Sequence, residues 1–439
     1  MFGLLLPQIV TAVPGPRSIA LAESLSRTEC PALTARRARR AERTGAPHDP
    51  ITWAEARGAN VRDVDGNVFV DLTGGFGAAL FGHAHPAVLA ALGAQQTRLL
   101  HALGDVHPSD QKVQLLAALC ALSPFPARVI LGLSGADAVE AALKTAMLHT
   151  RRAGVVAFEG GYHGLSHGPL AVCGYGEDFR APFLGQLNPH VRFAPFPARE
   201  SERASALTAL SAAIDSLGDH AGALLLEPIQ GRGGVREAPL GFLAEAAALA
   251  HARGMLVVVD EIYTGLGRTG SVFLHTELGI AADLICLGKA LGGGVPISAC
   301  IGRSEVMAAW GDPASEAIHT STFLGNPPAC AAALASLALM REHMHEIPAR
   351  EAAYRAAFSA LSDVEEVVGR GLLLGLTLRG GAPRVLAVMR RMLERGYIVL
   401  PTGAPPTRLC LTPPLTLSDA QLAGVVAALS ACLEDTRDA

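Results

Sequence analysis

From about residue 86 onward, short unbroken apolar runs alternate with longer Ala/Leu-rich stretches of helical character. The clearest runs are RVILGL, VVAF, GALLLE, MLVVVD and DLICLGK. Runs that are apolar at every position predict strands buried on both faces. Helical stretches between them predict parallel crossovers, so the pattern gives an α/β domain around a mostly parallel sheet. Upstream, NVRDVDGNVFVDL alternates polar and apolar residues about Asp65-Gly66, which predicts a hairpin. Residues 1–50 read as an irregular arm punctuated by Pro14, Pro16, Pro31, Pro47 and Pro50. After GDPASEAIHTSTFLGNPP a long helical segment leads into the strand-like LLLGLTLRG and YIVLPT, then a closing helix over 418–434. The expected organisation is an arm (1–50), the N-terminal part of a small domain (51–92), a large domain (93–326) and a C-terminal small α+β domain (327–439).

Length agrees with this division, since 439 residues leave room for two to three units at about 150 residues each. Half the chain is apolar and 17% is charged, enough to build a sizeable core. A formal charge of −4 argues against a nucleic-acid or anionic-membrane partner, which would call for a basic excess. The cluster Arg36, Arg37, Arg39 and Arg40 reads as a solvated helix face. No apolar run reaches the ~18–20 residues of a membrane span. The opening MFGLLLPQIVTAVPGPRS lacks the basic start of a signal peptide. Eight scattered cysteines with no C-x-x-C pair suit free thiols in a reducing compartment, so a cytoplasmic protein is expected.

Several motif-like features lead nowhere. GLGRTG at 265–270 fits G-x-G-x-x-G, but no acid lies about 20 residues beyond it, as a nicotinamide fingerprint requires. The pairs His83/His85, His163/His167 and His343/His345 have no ligand-spaced partners, and no metal is expected. Ser134 lacks the G-x-S-x-G frame of a hydrolase nucleophile.

The basic residues carry more information. Of 36, only Lys112, Lys144 and Lys289 are lysines. A lysine kept where arginine is the rule is a candidate for chemistry arginine cannot do, such as losing its proton to form a Schiff base. Lys289 follows DLICLG, Asp260 ends MLVVVD and Glu227 ends GALLLE, at separations of 29 and 33 residues, about one strand-helix-strand unit each. Parallel strands would deliver all three to one sheet edge, where α/β proteins bind ligands; a structural ion pair is the alternative reading. After RVILGL, Ser134-Gly135-Ala136-Asp137 opens a helix as a capping box would, and its free N–H groups suit a phosphate. Pyridoxal 5'-phosphate (PLP) needs these parts together: a lysine for the Schiff base, a carboxylate to keep the ring nitrogen protonated, and a helix terminus for the phosphate.

With these residues in place, roughly residues 53–434 resemble the class III PLP-dependent aminotransferases of fold type I. The blocks that carry the likeness are DVDGNVFVDLTGGFGAALFGHAHPAV, LSGADAVEAALKTA, EGGYHGLSHG, LEPIQGRGGV, VVVDEIYTGLGRTG, LGKALGGGVPISA, HTSTFLGNPPACAAALA and RLCLTPPL. The resemblance implies a large domain with a mostly parallel sheet and a smaller α+β domain from both chain ends. It makes Lys289 the Schiff-base lysine and proton carrier, and Asp260 the partner of the pyridinium nitrogen. It gives Ser134, Gly135 and Ala136 to the phosphate, Tyr162 and Ile262 to the two ring faces, and His163 and Glu227 to the support of the cofactor. Thr322 would reach the phosphate of a neighbouring subunit, implying a homodimer with shared sites. Arg408 would bind a substrate carboxylate, with Trp53 and Phe76 lining the pocket.

Four departures stand out. Ala136 replaces a hydroxyl residue, Tyr263 a glutamine near the cofactor's phenolic oxygen, Arg232 a switching glutamate and Leu165 an arginine. Arg232 is therefore a candidate substrate contact in place of the missing ones. The implied activity moves an amino group from a small-molecule donor to a keto acid or aldehyde in ping-pong fashion. A PLP-dependent racemase, decarboxylase or aminomutase on the same fold is the alternative, and a non-catalytic dimeric binding protein the remote one. The donor and acceptor remain open.

Overall fold

The computed structural model describes residues 2–44, 50–311 and 317–437. The apolar runs form the core of a seven-stranded sheet: β1 (Ala127–Gly132), β2 (Gly154–Phe158), β3 (Val191–Ala194), β4 (Ala221–Leu226), β5 (Leu256–Asp260), β6 (Leu284–Leu287) and β7 (Ser298–Arg303). Their order is β1-β7-β6-β5-β4-β2-β3. The central pairs β2/β3, β2/β4, β4/β5 and β5/β6 are parallel. β7 runs antiparallel to both β1 and β6. Every residue of β2, β4, β5 and β6 is buried, as continuous apolar runs covered by helices on both sides require.

The chain divides into two units, one of residues 1–85, 349–368 and 374–439, the other of residues 86–348 and 369–373. The seven-stranded sheet belongs to the second. This division differs from the sequence boundaries at 92/93 and 326/327. The helix Pro327–His343 packs closely on the helices Pro86–Arg98 and Asp110–Leu122, so it falls in the large unit.

The first unit holds two four-stranded sheets. One contains the expected hairpin, with Asn60–Asp63 antiparallel to Val68–Asp71. Its turn is pinned by Asp63, whose Oδ1 accepts from the Asp65 N–H at 3.0 Å and the Asn67 N–H at 2.8 Å, and Gly66 takes φ +92°. The other contains Leu373–Leu378 paired with Arg408–Leu411. The closing helix is Asp419–Asp435, capped by Ser418 and Gln421 in a reciprocal box.

The N-terminal arm is more regular than its prolines suggested, with helices at Pro16–Thr28 and Pro31–Thr44. Pro16 and Pro31 each occupy the first helical position, where the missing N–H costs nothing. Pro47 lies outside the described residues. The segment before the first helix is laced down by side chains. Asn60 Oδ1 accepts from Gly3 and Leu5 N–H, Asn67 Oδ1 from Val10 and Thr11 N–H, and Asp65 from the N–H groups of Arg17 and Ser18 that open the helix. Among the described residues, no helix is long and apolar enough to cross a membrane.

Leu225, fully buried on β4, packs in the cluster of Val258, Ala223 and Ala142. Leu225→Ala is expected to destabilise the large unit by about 2–5 kcal/mol, read as a lower denaturation midpoint with the same secondary-structure spectrum.

Candidate functional site

Because β4, β5 and β6 are adjacent and parallel, their carboxyl ends lie side by side, and the residues that follow them meet there. Glu227 comes directly after β4, Asp260 closes β5, and Lys289 follows β6 by two residues. The acids are nearly enclosed, Glu227 at 7% and Asp260 at 4% exposure. Lys289 is half-buried and takes φ +41°, a turn that redirects the chain at the strand end.

Both acids have partners. His163, 3% exposed, places Nδ1 2.8 Å from Asp260 Oδ2, and the Ile262 N–H donates to Asp260 Oδ1 at 3.0 Å. Burial works against a charged imidazole, but the hydrogen bond to Asp260 and the negative charges of Asp260 and Glu227 outweigh it, so the His163 pKa is raised. Glu227 accepts from the Tyr162 N–H at 2.8 Å through Oε1 and from the Gly231 N–H at 3.3 Å through Oε2. It thereby holds two loops by their backbones. Arg268 donates to the Leu372 carbonyl at 3.1 Å. Burial pushes the Glu227 carboxyl up to about 7, aided by Asp260 and opposed by His163. Burial also lowers the Lys289 pKa; Asp260 and Glu227 resist, while Arg232 and Arg268 reinforce the drop.

The anion end is built as the capping signal indicated. Ser134 caps the helix Gly135–Thr150, its hydroxyl accepting from the Asp137 N–H at 3.3 Å. Asp137 Oδ2 accepts from the N–H groups of Leu133 and Ser134 at 2.9 and 3.0 Å. Helix geometry directs the N–H groups of Gly135 and Ala136 outward from this terminus, at the positive end of the dipole. A Cβ on Gly135 would stand 2.9 Å from the Ile262 side chain, and one on Gly288 would stand 3.3 Å from it. Gly164, at φ +118°, leaves no space for a Cβ beside Ala136, which would lie 2.8 Å away. The small residue at 136 thus matches the close approach of the 160–164 loop.

Tyr263 spans the centre. Lys289 Nζ lies 4.3 Å from its ring centroid, and a side chain at Gly231 would collide with the same ring. Arg232 stands over Tyr162, guanidinium carbon to ring centroid 4.3 Å, with Tyr175 at 5.1 Å and Phe179 at 5.9 Å. The structure thus brings together Ser134, Gly135, Ala136, Tyr162, His163, Glu227, Arg232, Asp260, Ile262, Tyr263 and Lys289, all in the second unit. Thr322 lies on an exposed turn of that unit. Tyr175 and Phe179 went unnoticed in the sequence; their only signal was two aromatics four residues apart in GYGEDF.

Trp53, Phe76 and Arg408 belong to the first unit. Trp53 meets His83 edge-on at 5.8 Å, and His83 Nε2 lies 2.8 Å from Asp71 Oδ2. Asp71 also accepts from the N–H groups of Thr73 and Gly75, fastening the turn on which Phe76 stands 69% exposed. Arg408 donates to Thr377 Oγ1 at 2.8 Å and pairs with Glu366 at 3.2 Å.

These residues fit PLP. The slot left by Gly135 and Gly288 against Ile262 is one a side chain would fill, an acid is braced on one side, and a lysine of lowered pKa stands nearby. Comparison with known proteins points the same way. Residues 42–433 match the family model "Aminotransferase class-III". The chain is 38% identical over 396 residues to an acetylornithine aminotransferase of Mycobacterium bovis, covering 88% of this chain and 92% of that protein. It is 37% identical over 331 residues to the one from Methanopyrus kandleri, covering 74% and 80%. Among solved structures, the ornithine aminotransferase of Toxoplasma gondii, with PLP at partial occupancy, superposes with TM-score 0.78 at 28% identity, covering 89% of this chain and 91% of that one. The PLP-bound amine transaminase of an uncultivated Pseudomonas species superposes with TM-score 0.80 at 27% identity, covering 89% and 96%.

The raised Glu227 pKa has a stability consequence. A folded-state pKa above the unfolded value favours the native state at low pH, and that contribution is lost as pH rises through about 7. Between pH 5 and 8 the wild type should therefore lose stability relative to Glu227→Gln, by on the order of 2 kcal/mol. Paired denaturation midpoints across that range would read it; a constant difference would show that Glu227 does not titrate there.

Proposed function

The chain belongs to the class III aminotransferases, and from that premise we propose how its own residues share the work of amino-group transfer. It is a PLP-dependent transaminase, taking an amino group from a donor and passing it to a carbonyl acceptor. The observation that carries the division of labour is the buried His163–Asp260 bond of 2.8 Å beside Lys289 at the strand ends.

When bound, PLP supplies an electron sink for the bond to hydrogen on the amine-bearing carbon. Asp260 is assigned to the ring nitrogen, and His163, by holding Oδ2, keeps that carboxylate oriented. Ser134, Gly135 and Ala136 would hold the phosphate at the helix terminus, with Tyr162 and Ile262 flanking the ring and Tyr263 offering its hydroxyl to the phenolic oxygen. Lys289 is assigned to anchor the cofactor and then carry the proton; burial lowers its pKa, which favours the neutral amine that accepts one. Glu227 keeps the Tyr162 and Arg232 loops in register. Trp53, Phe76, Arg232 and Arg408 are assigned to the substrate.

A homodimer accompanies this reading, with Thr322 reaching the site of a second copy. In support, the turn that bears Thr322 adjoins exposed apolar residues: Leu100 at 63%, Leu103 at 60%, Val106 at 68% and Phe323 at 55% exposure, with His101 and Phe323 rings 5.4 Å apart. Such a patch is of the kind a partner covers. Light scattering should give twice the 45.4 kDa chain mass; a monomer of full activity would reject it. A cytoplasmic location is supported by the buried free thiols of Cys173, Cys286, Cys300, Cys330, Cys410 and Cys432.

The transfer itself is tested by stoichiometry. Given an effective donor and no acceptor, the holoenzyme should release one carbonyl product per subunit and stop, resuming when a keto acid is added. Lys289→Ala should lower steady-state turnover by more than about 10³-fold. Continuous production of carbon dioxide or of the inverted donor without acceptor would replace transamination with decarboxylation or racemisation.

A further inference from the structure

The turn that carries Arg232 is fastened on both sides. The Gly231 N–H is held by Glu227, and Gly231 packs so closely on Tyr263 that a side chain there would strike its ring. The Tyr162 loop is tied to the same carboxylate through its own N–H at 2.8 Å. One buried group therefore fixes both the guanidinium's backbone and the ring beneath it.

The rings around Arg232 also hold one another. Tyr162 and Tyr175 meet edge to face at 6.1 Å and 87°, and Tyr175 and Phe179 at 5.8 Å and 65°. All four side chains are half-buried. A guanidinium facing three ring systems gains attraction from each, and the gain grows as water is excluded. To swing aside it would have to leave all three. Arg232 also acts on Lys289 electrostatically, so its charge is felt at the centre of the site.

Resting on the transaminase reading above, we propose that Arg232, immobilised by Tyr162, Tyr175 and Phe179, is a fixed cation that selects substrates bearing a carboxylate and turns away those bearing a second ammonium group. Tyr175 and Phe179 are then positioning residues for that charge. A charge that stays in place acts in the same sense on donor and acceptor, so both should be acids or neutral molecules. Diamines should be poor donors.

The test uses the PLP-loaded protein and two unreactive probes of equal chain length, pentanoate and trimethyl(pentyl)ammonium, with binding read by calorimetry. The wild type should bind pentanoate more tightly by about tenfold or more, the scale of one partly screened charge contact. Arg232→Met should weaken that preference several-fold, leaving what Arg408 supplies, and Arg232→Lys should keep most of it. Tyr175→Leu should weaken the preference, and Tyr175→Phe, which retains the ring, should restore it. Equal affinity for the two probes in the wild type, or an unchanged ratio in Arg232→Met, would overturn the proposal. The two readings separate cleanly. Charge selection by a protein that transfers no amino group upholds the role of Arg232 and removes the assigned activity, whereas amino transfer without charge preference does the reverse.

Discussion

Everything at this site depends on the hydrogen bond between His163 and Asp260. A carboxylate enclosed at the end of a parallel strand needs a hydrogen-bonded partner to offset the cost of burial. His163 supplies one 2.8 Å away, and the hydrogen bond to Asp260 with the charges of Asp260 and Glu227 raises its pKa against the opposing effect of burial. Glu227 shows the contrast one strand over. Its partners are two backbone N–H groups, and burial pushes its pKa up to about 7. Two carboxylates on neighbouring strands thus acquire different tasks, one electrostatic and one structural.

The same economy appears in the loops. Glu227 binds the 160–164 loop and the 231–234 turn by their main chains, while Gly135, Gly164 and Gly288 let backbone and side chains approach closer than any larger residue would permit. Loops fixed by their main chains suit a reaction that needs bond alignment. Fixed placement of Arg232 among its rings extends that principle from the cofactor side to the substrate side.

Much of this was legible in the sequence because its physics is local. Continuous apolar runs identified the central strands, their polar terminal residues identified the site, and Ser134 with Asp137 announced a capped helix. What escaped was non-local. β3 is short and carries Arg192, and β7 enters the sheet against the parallel trend, antiparallel both to β6 just before it and to β1 far back in the chain. The N-terminal helices hid behind prolines that open them. Nothing in GYGEDF foretold that Tyr175 and Phe179 would converge on Arg232, since that contact joins the 175–179 segment to a separate turn more than 50 residues on. Arg408 was equally opaque: its bonds to Thr377 and Glu366 come from strands that only the folded sheet makes neighbours.

The central claim is that this cluster moves nitrogen from one molecule to another. Its most direct test follows the nitrogen itself, with a ¹⁵N-labelled amino donor and an unlabelled keto acid incubated with the PLP-loaded protein. Label should appear in the amine of the new amino acid, and this transfer should collapse when Asp260 is replaced by asparagine. Label that stays on the donor, or is released only as ammonia, would contradict the account.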